Sequence, residues 1–589
     1  MRRVLLLAPL LLLPTGADAR PANGVAVVAT LADDLAAGRI DHETWLLESF
    51  RYGFAPERSA ERYVPAERTL LRCGTPLVRE YVAERDRLSA STRAEIDGYL
   101  TRPSDLGRAV YVSPSGHFTL TYSTTGTHAV PTTDVNPANG VPDFVERCAE
   151  YMDTSWATEI DGLGFTAPFV SGGSYAVGFE NMGFYGYTSP VGPTTEIVLH
   201  RNFIGFPSNT DPDGNQLGAA KVTCAHEFKH ASQYTNNFWS EGGWVELDAT
   251  WMEDIVYPNT NDYWNYVNNN GPNVLGQPWT PLDNGGSGSY EDCLWEHYLS
   301  NAHGNAIMVE VYDQLAAHPS WTMQRAYQEA QSVFGTSWEE SYPRFLEWAW
   351  FTGSRAEAGL GFPDAPSLKR MNVRATVSAY PYTRSTTINQ LAGDPYWFNP
   401  PTSPVGSPVV TFDGDDALDK FTVSVLMKDG TGAITIAQPA LGAGNTFAYT
   451  VPFAWTNLTY VGVIVTNSKR SGGLVPYSLV VTDEAASTDA PALGELASTL
   501  TLGAPSPNPT RGATRLDWTL PRASHVTVRV LDLAGRNVRT LEDGAREAGA
   551  GAVTWDGRNA AGRAVPAGVY WMRVETAEGN VARRVTVLR

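Results

Sequence analysis

Residues 226–230 read His226-Glu227-Phe228-Lys229-His230. Two histidines four apart stand one turn apart on the same face of a helix, so both imidazoles can reach a single metal ion. Glu227 follows the first histidine directly. From there a carboxylate can take a proton from a water that zinc has made acidic and pass it to a leaving amine. With 10 His and 63 acidic residues in 589, a His-acid-x-x-His string arises by chance about 0.02 times. The pattern therefore points to zinc-assisted hydrolysis; the plainer alternative is two packed or solvated histidines on an ordinary helix.

Zinc needs a third protein ligand. A three-histidine motif would continue with Gly at 233 and His at 236, and those positions hold Gln233 and Asn236. The ligand then comes from another segment. Residues 244–249, Trp-Val-Glu-Leu-Asp-Ala, place Glu246 three residues before the small Ala249, which permits close packing against the first helix. Glu246 is the expected third ligand. Glu241, beside Gly242 and Gly243, reads as turn punctuation, and Glu253 or Asp254 reads as an acid that orients a ligand histidine. Hydrolysis also needs a donor for the oxyanion. Tyr290, His297 and Tyr298 lie at or on an expected helix over 291–300, and Tyr290 is taken for that role; packing is the alternative for each.

The elements that must position these residues follow from pattern. The segment 218–234 has helical composition, with Val222, Ala225, Phe228 and Ala231 facing a core. Alternation over 117–122 predicts a strand, as do 175–179 and 196–200, the last of which could pair edge-on with an extended peptide. Further helices are expected over 144–160, 306–316 and 342–351, so residues 107–372 read as α+β. Residues 20–106 are helical and charged (28–39, 43–51, 93–100), carry no catalytic constellation and sit where a pro-region would. Short strands with Gly/Pro/Asn turns over 373–483 predict a β-sandwich, 484–499 an Ala/Ser/Thr-rich linker, and 500–589 a second β module. This last module holds 13 Arg against 8 acidic residues, in a chain of net charge -20.

That charge makes phosphate backbones and anionic lipid poor partners. Arg2 and Arg3 precede an apolar run over 4–13, and Ala17-Asp18-Ala19 supplies small residues at a cleavage site. Residues 1–19 thus read as a secretory signal peptide, with export to the medium or cell surface and no later membrane span. The loops 134–143 and 211–215 have calcium-like acidic spacing, which is also ordinary turn composition. Four cysteines in an exported chain suggest two disulfides, in one of three connectivities; Cys73–Cys148 with Cys224–Cys293 is one.

The chain resembles secreted bacterial HExxH zinc metalloproteases of the gluzincin type. The matching stretches are Arg72-Cys73-Gly74-Thr75-Pro76, 113–118, 134–143, 222–227 and 244–254. The resemblance implies a zincin-like catalytic domain, a protein or peptide substrate, His226, His230 and Glu246 on zinc, and Glu227 as general base. Cys224 and Leu247 depart from it, where a small apolar residue and a glycine are expected. Residues 72–76 also resemble the Arg-Cys-Gly-x-Pro segment by which some zinc protease proenzymes hold themselves inactive, an alternative to the disulfide for Cys73. Residues 506–509, 526–531, 554–557 and 566–570 resemble the sorting or hook-capping-like immunoglobulin modules of exported bacterial proteins, which implies contact with export machinery. The expectation is a multidomain chain, an α+β catalytic domain followed by two β-sandwich modules. The rival reading is a non-catalytic adhesin or glycan-binding protein working through 373–483.

Overall fold

A computed structural model describes residues 24–64, 70–101, 108–170, 172–282, 289–404, 406–417, 420–484, 501–503, 505–520, 524–532, 536–546, 549–576 and 579–588. The expected signal peptide and all of the expected linker but Glu484 lie outside them. The chain is multidomain, with a helical N-terminal region and several β-sheets, and divides into two compact units between residues 485 and 486.

The first unit opens with four helices, α1 (Gly24–Ala36), α2 (His42–Phe54), α3 (Thr75–Glu84) and α4 (Ala90–Leu100). Asp41 and Ser89 accept the orphan amides of Thr44 and Thr92 and so start α2 and α4. Pro76 starts α3, where the missing N–H costs nothing. Between α2 and α3 runs a short strand, β1 (Leu71–Cys73), which the charged, helical composition of this region does not announce.

That strand joins a six-stranded sheet with β2 (Ala109–Val112), β3 (Phe118–Tyr122), β4 (Tyr175–Glu180), β5 (Phe184–Val191) and β6 (Thr194–His200), in the order β1-β5-β6-β4-β3-β2. β5 and β6 form an antiparallel hairpin, and β1 pairs in parallel with β5. The strand expected over 196–200 is thus interior, flanked by β5 and β4. Its amides and carbonyls are already paired, so it cannot receive a peptide edge-on; that expectation is corrected.

Helices α5 (Asp143–Trp156) and α6 (Asn215–Asn237) pack on this sheet. Phe228 of α6 meets Phe118 edge-on at 5.3 Å and Trp156 at 5.5 Å. The α6 helix is buried nearly all round, because its other side faces α7 (Val245–Val256). A helical assembly follows: α8 (Trp264–Val267), α9 (Leu294–His303), α10 (Ala306–Ala317), α11 (Met323–Val333) and α12 (Trp338–Trp350). Its core gathers Trp251, Trp295, Trp338 and Tyr327, and continues without a break into Leu426, Tyr460 and Ile464.

Those last residues belong to the β-sandwich. Its four-stranded sheet is β13 (Thr446–Thr450), β10 (Ser407–Gly414), β15 (Val475–Glu484) and β8 (Tyr382–Ile388). The five-stranded sheet is β12 (Ile434–Ala437), β11 (Phe421–Asp429), β14 (Leu458–Asn467), β9 (Ala392–Phe398) and β7 (Ala375–Val377). The sandwich packs on α12: Trp350 stacks on Trp397 at 5.7 Å, and a Cβ at Gly462 would lie 2.4 Å from the Trp350 ring. In the second unit β16 (Thr501–Leu502), β17 (Thr514–Leu520) and β20 (Gly549–Trp555) form one sheet, and β19 (Asn537–Arg546), β18 (Ser524–Leu531), β21 (Gly568–Thr576) and β22 (Gly579–Val587) the other. Trp518, Val528, Trp555 and Met572 are in their shared core.

The expected disulfides do not form: Cys73, Cys148, Cys224 and Cys293 are all free and buried. The physical reason differs by position. Cys148 and Cys224 fill the core between the sheet and α5, and Cys293 the core of the helical assembly, as small apolar side chains. Cys73 lies elsewhere.

Candidate metal centre

Helix α6 carries His226 and His230 on one side, and α7 crosses it so that Glu246 reaches both. The Nε2 atoms of the two histidines are 3.1 Å apart. One Glu246 oxygen is 3.2 Å from His226 Nε2 and the other 3.1 Å from His230 Nε2. Cys73 Sγ completes the group, 3.5 Å from His230 Nε2. Among the described residues these four make the group of His, Cys, Asp and Glu able to hold a metal, with ligand atoms all within 4.8 Å of one another.

The donor set fits zinc. Two imidazoles, a carboxylate and a thiolate are its ordinary ligands, and bonds of about 2.0–2.1 Å in a tetrahedron set donor atoms about 3.3 Å apart, close to the spacings found. The electrostatics also ask for a cation. Burial opposes charge on His226, yet hydrogen bonds and the charges of Glu246 and Glu253 push its pKa up to about 10. Burial likewise opposes ionisation of Glu246, and the two histidines hold its carboxyl well below the usual range.

Each imidazole is fixed from behind. His226 Nδ1 lies 2.7 Å from Glu253 Oε1, and Glu253 in turn pairs with the buried Arg72 guanidinium. His230 Nδ1 lies 2.8 Å from Gln233 Oε1. The Gln233 amide then donates to the Val245 carbonyl and to Asp248, both at 2.9 Å. With Nδ1 donating in each ring, both Nε2 atoms would turn lone pairs to a bound cation, which takes the place of the proton that His226 otherwise holds. Lys229, the fourth residue of the motif, points the other way. It is fully buried, 3.2 Å from Asp248 and over the rings of Phe165 and Tyr312, so it ties α6 to α7 behind the centre.

Glu227 is fully buried on the flank of the centre. Its Oε2 accepts hydrogen bonds from Thr188 at 2.8 Å and Thr75 at 3.1 Å, and its Oε1 has no partner among the described residues. Gly186 makes this possible: a Cβ there would lie 3.0 Å from Glu227 Cγ and 2.8 Å from Thr223. Tyr290 stands in the one-turn helix Ser289–Asp292 ahead of α9, not on α9 itself. Its ring stacks over His226 with centroids 6.1 Å apart. Burial, reinforced by the Glu246 charge, pushes its phenol pKa up.

The other candidates are elsewhere. His297 stacks on Tyr263 and faces Asp254 at 3.9 Å, and Tyr298 packs among Trp295, Phe345 and Trp348. Glu241 is buried near the end of α6, outside the ligand group. In the loop 134–143, Asp134 and Asp143 accept backbone amides of their own turn. Asp211 and Asp213 are paired with Lys221 at 2.8–3.0 Å. Sequence reasoning missed Gln233, Thr188 and Thr75. Gln233, three residues after His230 on the helix, was findable; the two threonines reach the site from strand and turn with no motif to mark them.

Residues 505–580 match the FlgD Ig-like domain. No curated protein matches the chain. Solved structures similar over part of it include the following three. PirA shares 12% identity over 19% of this chain and 99% of its own, at a TM-score of 0.14. PorZ, a bacterial surface component of the type-IX secretion system of Porphyromonas gingivalis, shares 15% over 28% of this chain and 23% of its own, at 0.12. Legionella pneumophila aminopeptidase A shares 11% over 62% of this chain and 36% of its own, at 0.28. Among the described residues, no helix is long and apolar enough to cross a membrane.

Proposed function

We propose that the chain is an exported zinc-dependent endopeptidase of the gluzincin type, with its active centre on α6 and α7. The observation that carries this is the convergence of His226, His230 and Glu246 at 3.1–3.2 Å beside a buried carboxylate, Glu227, with one oxygen unpartnered among the described residues. Zinc, when bound, supplies the Lewis acidity that brings water's pKa toward neutrality and polarises a carbonyl. His226, His230 and Glu246 hold the ion, and Glu253 and Gln233 keep the imidazole nitrogens turned to it. Glu227 accepts a proton from the attacking water on its free oxygen and returns it to the leaving amine. Its position is held by the Thr188 hydroxyl, so it need not reorganise between the two transfers. The Tyr290 phenol, protonated at neutral pH, donates to the developing oxyanion. The signal-like N-terminus and the Ig-like module at 505–580 support export, and the module carries no part of the chemistry.

The test is Glu227→Gln. It should retain about one zinc per chain and lose casein hydrolysis by about a hundredfold or more, because only proton transfer is removed. Unchanged hydrolysis in the zinc-loaded variant would refute the mechanism.

A further inference from the structure

Four side chains able to hold a metal, not three, converge on the centre. Sites closed by four ligands hold metal without reacting, whereas catalytic sites keep one position open. The fourth donor comes from the N-terminal region, and with it come two further contacts at positions a substrate would need. Thr75 Oγ donates to Glu227 Oε2 at 3.1 Å and accepts the Thr188 amide at 2.8 Å. β1 runs along the outer edge of β5, with the Leu71 amide donating to Gly183 O at 2.6 Å and the Gly74 amide to Gly186 O at 2.9 Å. Without β1, β5 is an edge strand beside the metal centre, able to take an extended peptide by main-chain pairing.

We infer that residues 71–75 hold the enzyme latent, with Cys73 as the fourth metal ligand and the neighbouring backbone occupying the peptide-binding edge of β5. This rests on the peptidase reading above. One short segment thus engages three separate parts of the machinery: the ion, the general base and the strand edge. Its fit depends on residues on both sides. Gly74 lets the chain approach, since a Cβ there would lie 3.0 Å from Tyr187 Cβ. Arg72 anchors it, buried between its ion pair with Glu253 and the faces of Tyr266 and Tyr290, at 3.6 and 5.0 Å. The segment is pressed down by apolar packing, with Leu46, Phe50 and Val78 in one core with Phe184, Tyr187 and Val198. Beside Cys73 a cavity of about 150 Å³ lies between Val27, Leu31 and Leu77 on one side and Phe184 and Tyr290 on the other. Loss of the N-terminal region therefore frees three things together: a coordination position, the Glu227 carboxylate and the β5 edge with its apolar Phe184 and Tyr187.

The full-length protein serves for the test, alongside Cys73→Ala and the near-isosteric Cys73→Ser as a folding control. Loaded with cobalt in place of zinc, the wild type should show the near-ultraviolet thiolate-to-metal charge-transfer absorption, and both variants should lack it while still binding one equivalent of metal. Loaded with zinc, both variants should hydrolyse casein about tenfold faster than the wild type or more, because the competent fraction is no longer limited by the bound thiolate. A wild-type cobalt spectrum without the thiolate band overturns the inference whatever the activity. A band accompanied by Glu227-dependent hydrolysis that the variants do not accelerate overturns the latency. A band with no hydrolysis in any of the three proteins overturns latency and peptidase reading together, and leaves a structural four-ligand site.

Discussion

Replacing Glu253 by glutamine tests whether the centre is tuned from behind its ligands. Glu253 Oε1 takes the His226 Nδ1 proton at 2.7 Å, and its other oxygen pairs with Arg72. Glutamine and alanine alike remove the counter-charge of the Arg72 guanidinium, 8% exposed, and breaking such a buried pair costs about 3–5 kcal/mol of stability. Alanine is the poorer probe, because it also removes the acceptor for Nδ1 and leaves a cavity. Glutamine keeps the volume and an oxygen for Nδ1 but removes the charge. Hydrogen bonds to charged groups contribute about 1.5–3 kcal/mol and neutral ones about 0.5–1.5, so the variant loses about 1–1.5 kcal/mol of support for His226 as a ligand. That corresponds to about a tenfold fall in zinc affinity, at the low end of what outer-layer partners of metal ligands contribute. Zinc affinity is read by competition with a chromophoric chelator, with circular dichroism to show that the metal-free protein remains folded. An affinity unchanged in the folded variant would refute the orienting role. A complete loss of zinc would show that Glu253 is itself a ligand.

Glu246→Ala should leave a folded protein that retains no stoichiometric zinc after dialysis, measured by atomic emission; retention of one equivalent would remove Glu246 from the ligand set. The third prediction concerns pH. Burial pushes the Glu241 carboxyl up from its ordinary value to about 7. A carboxyl raised in the folded state stabilises fully below its unfolded pKa, near 4.5, and that contribution is lost as pH rises through about 7. Glu241→Gln does not titrate. Its unfolding free energy relative to wild type should therefore rise between pH 4 and pH 8 by on the order of 3 kcal/mol. Denaturant titrations of both metal-free proteins at the two pH values measure this, and a pH-independent difference would contradict it.

The arrangement of the 226–230 motif was legible because it is local. The helical period alone sets His226 and His230 on one side and Glu227 beside them, and no distant contact is needed to read it. Glu246 was legible for a related reason: a carboxylate followed by a small residue suits the close crossing of α6 and α7. The strands of the sandwich and of the Ig-like module were legible from alternation and turn residues, which act within a few positions.

What the sequence could not decide was which distant segments share a place. Nothing between residues 20 and 106 announces a strand, yet Leu71–Cys73 enters the central sheet, because main-chain pairing with β5 depends on an edge being free and not on side-chain pattern. Cysteine count suggested disulfides, but count carries no distance. Folding buries Cys148, Cys224 and Cys293 among apolar side chains and brings Cys73 within 3.5 Å of a histidine 157 positions away. The strand 196–200 looked available because its composition is that of any strand; only sheet order shows it to be interior. Residue types and helical spacing set which side chains stand together on one helix, and long-range packing alone decides which residues join them, since that depends on closing loops whose sequence records no destination.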